Sequence, residues 1–297
     1  MVVSIAIGLI SLAIYLFFIP SNVMPRRSKA ICPQLIPSNK LNTTIIFSCN
    51  KYYTNNATKV LDGKPDIIIG GSPCQNFSSL RVTSGNGKVI DGLEGDKSVL
   101  FYEYLRLLKE INPTYFLLEN VKMRKDSKEE LDNYLGVSGI LIDSKLVSFQ
   151  TRSRYYWTNI PNVVPPQDKN ISYQNYIDTD TARCDEATPN RTPSRIRMWN
   201  NGEGKNDAAW CCTNLSNATK VGCLTRKQDR CPNSGMMPYN GWARFLTRRE
   251  QEQAQTLPIG YCDHLSYNKT CDVIGDGWTV DVIKHILSFI PKGDKYD

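Results

Sequence analysis

From Met1 to Leu61 the chain contains no Asp and no Glu. That absence excludes from this stretch any site built on a carboxylate. Arg26, Arg27, Lys29, Lys40, Lys51 and Lys59 leave it basic and supply most of the net charge of +7, the remaining residues being nearly balanced. Such a charge suits a polyanionic partner without requiring one. Ten cysteines occur, none in a Cys-x-x-Cys pair and none in a compact framework, which argues against a zinc site and a disulfide scaffold and for reduced thiols in a cytosolic protein. The phosphate-cradling pattern GxxxxGK[ST] is also missing. Gly85-Asn86-Gly87-Lys88 lacks its spacing and follows no apolar strand, so a nucleotide-phosphate loop is excluded there. With 41% hydrophobic and 22% charged residues over 297 positions, the chain is not disordered and suffices for one large α/β domain with a small insert.

Val2–Ile19 is an uncharged, mostly apolar run closed by Pro20 and followed by Arg26, Arg27 and Lys29, open to two structural readings and to a third in which its start or reading frame is misassigned. As a helix it would reach about 27 Å, enough to cross a bilayer once, and the trailing cations would keep the rest of the chain in the cytoplasm. Alternatively Val2–Gly8 is the first strand of a sheet, Gly8 its tight turn and Leu9–Phe18 the first helix. A cleaved signal peptide fits less well, because no positive charge precedes the apolar part.

Asp66-Ile67-Ile68-Ile69-Gly70-Gly71 reads as a strand covered on both faces, as in a parallel sheet, ending on glycines before Ser72-Pro73-Cys74-Gln75. Sheets of this kind place ligands outside the carboxyl ends of their strands. The spacing of Leu100, Phe101, Tyr104, Leu105, Leu107, Leu108 and Ile111 predicts a helix over 98–111, stopped by Asn112-Pro113. Thr114–Leu118 is the next strand, and it carries Glu119-Asn120-Val121 at its carboxyl end. Gly139–Val147 predicts another strand, leading into Gln150-Thr151-Arg152-Ser153-Arg154 and an aromatic run. Residues 161–243 show no clean periodicity and hold Cys211, Cys212, Cys223 and Cys231. Arg191, Arg195, Arg197, Lys205, Arg226, Lys227 and Arg230 in this region suit phosphate contacts or a solvated surface equally. Thr247, three residues before Glu250, predicts a capped helix, and Val280–Ile290 a last one.

Taken together, five stretches resemble the signature of the DNA (cytosine-5) methyltransferases. They are Pro73-Cys74-Gln75 with Ser78; Glu119-Asn120-Val121; Gln150-x-Arg152-x-Arg154; Arg244-x-x-Thr247-x-x-Glu250 with Gln255-x-x-Pro258; and Gly275-Asp276-Gly277-Trp278-Thr279-Val280. The match covers roughly residues 56–160 and 244–290. The resemblance implies an α/β, Rossmann-like class I methyltransferase fold with a mostly parallel sheet and a small irregular target-recognition region. The corresponding divisions are 1–20 for the apolar segment, 21–160 for the catalytic domain, 161–243 for target recognition and 244–297 for a return to the catalytic domain.

The same resemblance implies roles. Cys74 would be the nucleophile that adds to a cytosine flipped out of double-stranded DNA. Glu119 would hold the base, and Arg154 with Arg152 would contact its carbonyl and a phosphate. Ser78, Gln75 and Gln150 would bind substrate. Gly8, Pro73, Asp276, Trp278 and Val280 would hold S-adenosylmethionine. A monomer without a metal is implied, acting in the cytoplasm on a nucleoid or in a host nucleus, as in a restriction-modification system. The sequence departs from the family pattern at Ile7 and Asn56, where acidic residues are expected, at Leu12 in place of a glycine, and at Asp276 in place of Asn. These departures leave a second reading beside the working enzyme: a catalytically impaired DNA-binding relative with a lost cofactor site, tethered to a membrane by residues 2–19.

Overall fold

The computed structural model describes residues 66–71, 99–200, 212–228 and 232–291. Among them no helix is long and apolar enough to cross a membrane, and the segment 2–19 lies outside them. The described residues form two compact units. The first takes the residues up to Ile142, Ser153–Pro165 and those from Lys284 onward, and the second takes Asp143–Arg152 and Pro166–Ile283.

In the first unit the order along the chain is β1 (Ile67–Gly71), α1 (Val99–Ile111), β2 (Tyr115–Val121), α2 (Lys125–Leu135), β3 (Ile140–Asp143) and β4 (Ser153–Thr158). The strands lie in the order β1-β2-β4-β3. Ile67–Gly70 are all buried, as the unalternating apolar run requires. β1 runs parallel to β2, with Ile67 opposite Tyr115 and Gly71 opposite Glu119, while β4 runs antiparallel to β2, with Leu117 opposite Thr158 and Val121 opposite Arg154. The sheet is therefore mixed, parallel at β1–β2 and antiparallel where β4 enters.

Phe101, Tyr104, Leu105, Leu107 and Ile111 of α1 recur at helical spacing and are buried against Ile68, Phe116 and Leu118 of the sheet and Leu131 and Leu135 of α2. α1 ends where Asn112 turns left-handed (φ 46°) and Pro113 can no longer extend it. α2 ends on Gly136 (φ 68°), whose N–H donates to the Asp132 carbonyl at 2.9 Å. The strand predicted over 139–147 is shorter than expected. It stops at Asp143, whose carboxylate accepts from the Lys145 N–H at 2.9 Å and caps a single tight turn over Ser144–Leu146. A short acidic side chain that bonds its own backbone offers an alternative to the sheet ladder, which the apolar pattern does not reveal.

The second unit is built from short elements: α3 (Thr181–Glu186), α4 (Pro193–Trp199), the hairpin β5 (Met237–Tyr239) and β6 (Trp242–Arg244), α5 (Arg248–Ala254) and α6 (Tyr267–Asp276). α7 (Val280–Leu287) follows, three residues shorter than the predicted 280–290. Ala187, Trp199, Met236, Ala243, Phe245, Tyr267 and Cys271 make an apolar core.

Beside that core lies a buried ion pair. Arg244 and Glu250 meet through two hydrogen bonds of 2.7 and 2.9 Å. Glu250 also accepts from the Tyr173 hydroxyl (2.9 Å), the Asp178 N–H (3.0 Å) and the Thr247 N–H (2.7 Å). The last of these completes the capping box at the start of α5. Burial works against the Arg244 cation, but the bonded Glu250 carboxylate outweighs it and pushes its pKa up. So many donors on one carboxylate offset its desolvation.

Candidate active site

The parallel register of β1 and β2 sets Gly71, the last residue of β1, beside Glu119. On the other side β4 runs past β2 so that Tyr156 faces Glu119 and Arg154 faces Val121. Residues directly opposite share a face, and so do residues two apart, which makes Arg154 the diagonal neighbour of Glu119. Its Nε lies 3.0 Å from Glu119 Oε1, and both side chains are largely withdrawn from solvent, 14% and 10% exposed. The two motifs Glu-Asn-Val and Gln-x-Arg-x-Arg thus meet as one carboxylate–guanidinium pair at the end of β2. Such a pair keeps the carboxyl group aimed, and Arg154 is held in turn by donating Nη1 to the Ser153 carbonyl at 2.9 Å.

Sequence reasoning missed what fixes β4 in place. Asp132, on α2, accepts from the indole N–H of Trp157 at 2.6 Å and from the Gly139 N–H at 2.9 Å, and it pairs with Lys128. Burial alone would raise its pKa, but these bonds outweigh it and hold the carboxyl below its usual range. Trp157 is fully buried. Gly139 packs so closely on it that an added Cβ would stand 2.6 Å from the ring. Asn159 then bridges the start of β2, accepting from the Phe116 N–H (2.9 Å) and donating to the Thr114 carbonyl (2.8 Å). No linear signal joins Asp132 to Trp157. Only the glycine at 139 hints at a close approach.

Gln150 and Arg152 belong to the second unit and are buried there. The Gln150 amide donates to the Ala254 carbonyl (3.0 Å) and to Gln255 Oε1 (3.1 Å), and its oxygen accepts from the Leu224 N–H (2.9 Å). Arg152 donates to the carbonyls of Leu224 (2.7 Å), Gly277 (2.8 Å) and Gly275 (3.3 Å) and lies 3.3 Å from Cys223 Sγ. The motif expected to hold a base is therefore divided. Arg154 pairs with Glu119, whereas Gln150 and Arg152 stitch residues 223–224 to the turn after α6. Gln255 joins the same network, donating to the Ile274 and Gly277 carbonyls (2.9 and 3.1 Å) and accepting from the Thr279 hydroxyl (2.8 Å).

Of the residues expected around the cofactor, Trp278 and Val280 are buried. Asp276, at the end of α6, lies 3.3 Å from Arg226. Burial, with Asp272 adding to it against Arg226, raises the Asp276 carboxyl to about 6. Gly8, Pro73, Cys74, Gln75 and Ser78 lie outside the described residues. So do Cys211 and Cys231, while Cys212 is buried and Cys223 half-buried.

Residues 36–137 match the family model of the C-5 cytosine-specific DNA methylases. The chain is 48% identical over 62 residues to the type II methyltransferase M.FnuDI of Fusobacterium nucleatum, a stretch covering 20% of this chain and 15% of that protein. It is 46% identical over 56 residues to the type II methyltransferase M.Sau3AI of Staphylococcus aureus, covering 19% and 13%. The aligned stretches thus span only a small part of the length of these relatives. Among solved structures, the Entamoeba histolytica methyltransferase EhMeth superposes with a TM-score of 0.53 at 16% identity, covering 76% of each chain. The S. pombe Dnmt2 methyltransferase superposes with a TM-score of 0.51 at 15% identity, covering 76% of this chain and 77% of that one. The fold is that of these methyltransferases, and the matched stretch 36–137 contains the Pro73-Cys74-Gln75 and Glu119-Asn120-Val121 motifs.

Proposed function

We propose that this chain is a DNA cytosine-5 methyltransferase, acting on a cytosine turned out of double-stranded DNA, with S-adenosylmethionine as methyl donor. The observation that carries the reading is the Glu119–Arg154 pair at 3.0 Å, set beside the end of β1. Only Ser72 and Pro73 separate Gly71 from Cys74, so three peptide steps bound the Cys74 backbone to within about 11 Å of that strand end.

Cytosine C5 is a weak nucleophile. In this reading the Cys74 thiolate adds to C6, and the new C–S bond turns C5 into an enamine carbon that takes the methyl group. A water molecule then takes the C5 proton, and the electron pair left at C5 re-forms the C5–C6 double bond, breaking the C–S bond and freeing the thiolate. Glu119 accepts from the exocyclic amine and shares a proton with N3, offsetting the negative charge that the thiolate's attack builds on the ring, and Arg154 orients that carboxyl group. Turning the base out of its stack costs a few kcal/mol, which these contacts offset.

S-adenosylmethionine supplies an electrophilic methyl group when bound. The described residues do not by themselves form its cradle. Trp278 and Val280 are buried and apolar, and the Asp276 carboxylate faces Arg226 where a ribose or ammonium group would need it. Every step assigned to this chain therefore rests on Cys74, Glu119 and Arg154.

The test is transfer of labelled methyl groups from S-adenosylmethionine to duplex DNA. Transfer by the natural chain and none by Cys74→Ala is expected. Undiminished transfer by Cys74→Ala refutes the mechanism.

A further inference from the structure

Neighbouring residues of β4 look to opposite faces of the sheet. Arg154 and Tyr156 share the face of Glu119, whereas Tyr155 and Trp157, set opposite Asn120 and Leu118, share the other. α2 covers that second face, and no step of the proposed reaction uses it.

α2 holds both aromatic residues. Lys128 Nζ stands 5.7 Å from the centroid of the Tyr155 ring, and Asp132, one turn further along the helix, accepts from the Trp157 indole N–H at 2.6 Å. The two rings lie 5.7 Å apart. Lys128 and Asp132 are themselves paired, and the Ser138 hydroxyl accepts from Lys128 (3.0 Å) and donates to Asp132 (3.2 Å). Asp132 also accepts from the Gly139 N–H at 2.9 Å, one residue before β3 begins. One carboxylate thus ties β4 and the entry to β3 to the same helix.

Packing alone would bury the indole, but it would not set how far along its own axis β4 sits. A hydrogen bond from a fully buried indole does, because losing it strands the donor. Trp157 and Arg154 are three residues apart, about 10 Å along the strand, so a slide or twist at the indole reaches the guanidinium and, through it, Glu119 3.0 Å away. A misplacement of about 1 Å costs up to about 100-fold in rate. We infer that Asp132 is a positioning residue for the proposed base site: acting through Trp157 and β4, it holds Arg154 where Arg154 aims Glu119. This rests on the proposal that Glu119 acts on the base. It puts α2, which touches no substrate, in control of the chemical step.

Labelled methyl transfer by the full chain at saturating duplex, duplex affinity by anisotropy and a urea melt are measured on the same variants. Asp132→Ala should lower saturated turnover about 10-fold with duplex affinity unchanged, and Asp132→Asn, which keeps an acceptor oxygen for the indole, should recover most of that loss. Trp157→Phe, which keeps a ring and drops the N–H, should match Asp132→Ala and carries the comparison if that variant does not fold. In a Glu119→Gln background Asp132→Ala should cost no more than about twofold further, since both act through one group. Leu107→Ala, a buried change on α1, should lower the urea midpoint at least as far and leave saturated turnover as in the natural chain. If the natural chain transfers methyl groups but the folded Asp132 and Trp157 variants keep its saturated turnover, or Leu107→Ala loses as much as they do, or the Glu119→Gln and Asp132→Ala losses multiply, this inference is overturned and the proposed function stands. If the natural chain transfers none, both fall.

Discussion

Glu119 and Arg154 determine each other's state. The guanidinium sits 3.0 Å from the carboxylate with little water around either, so removing one charge leaves the other uncompensated. Glu119→Gln keeps the shape and one acceptor oxygen but cannot pass a proton to N3 as the thiolate's attack loads negative charge onto the ring. Methyl transfer is expected to fall by about 100-fold or more, with a much smaller loss of stability, as read by turnover at saturating DNA beside a urea melt. Turnover within about threefold of the natural chain would show that Glu119 does not act on the base.

Asp276 supplies a pH dependence. Its carboxyl is raised by burial to about 6, above an unfolded value of about 3.9. The folded state thus binds the proton more tightly, so this group's contribution to stability is full below pH 4 and is lost as the pH rises through 6. Asp276→Asn should therefore melt higher than the natural chain at pH 8, with the gap closing as the pH falls from 6 to 4. A gap of constant size would mean that the Arg226 contact, and not burial, governs the residue.

At the scale of elements, the site depends on β4 keeping its register against β2, and Trp157 anchors it. Gly139→Ala would place a methyl group 2.6 Å from that ring, and the overpacking should cost about 1–3 kcal/mol by chemical denaturation. A stability equal to the natural chain's would show that the indole can move aside. In the second unit Glu250→Ala would strip the buried Arg244 of its carboxylate and leave the Tyr173, Asp178 and Thr247 donors unmet. A loss of about 3–5 kcal/mol is expected in a urea melt.

These elements also show what could be read in advance. The runs at 67–70 and 115–118 and the spacing along α1 gave strand, strand and helix, because burial on known faces is written in apolar periodicity. The capping box of α5 was legible from two residues three apart. The fate of Arg152 was not. Its partners are carbonyls of Leu224, Gly275 and Gly277, and backbone acceptors leave no mark in a sequence. Asp132, an ordinary helix-surface acid by its spacing, becomes the acceptor for Trp157 only once α2 lies against β4.

For the whole molecule, the basic balance is unevenly distributed. The first 61 residues hold six of the seven excess charges, and the stretch 187–200, with Arg191, Arg195 and Arg197, also lacks a carboxylate. A polyanion is the partner both features suit. The proposed chemistry rests on a bond between Cys74 and cytosine, and that bond can be caught. A duplex carrying 5-fluorocytosine at its target has no C5 proton to lose, so the thiol cannot be expelled after methyl transfer. Incubating the full chain with this duplex and S-adenosylmethionine, followed by intact mass measurement under denaturing conditions, should give the protein plus one DNA strand and one methyl group, with the link mapped to Cys74 and missing in Cys74→Ala. DNA bound in solution with no covalent species, or a link at any other residue, would contradict the account.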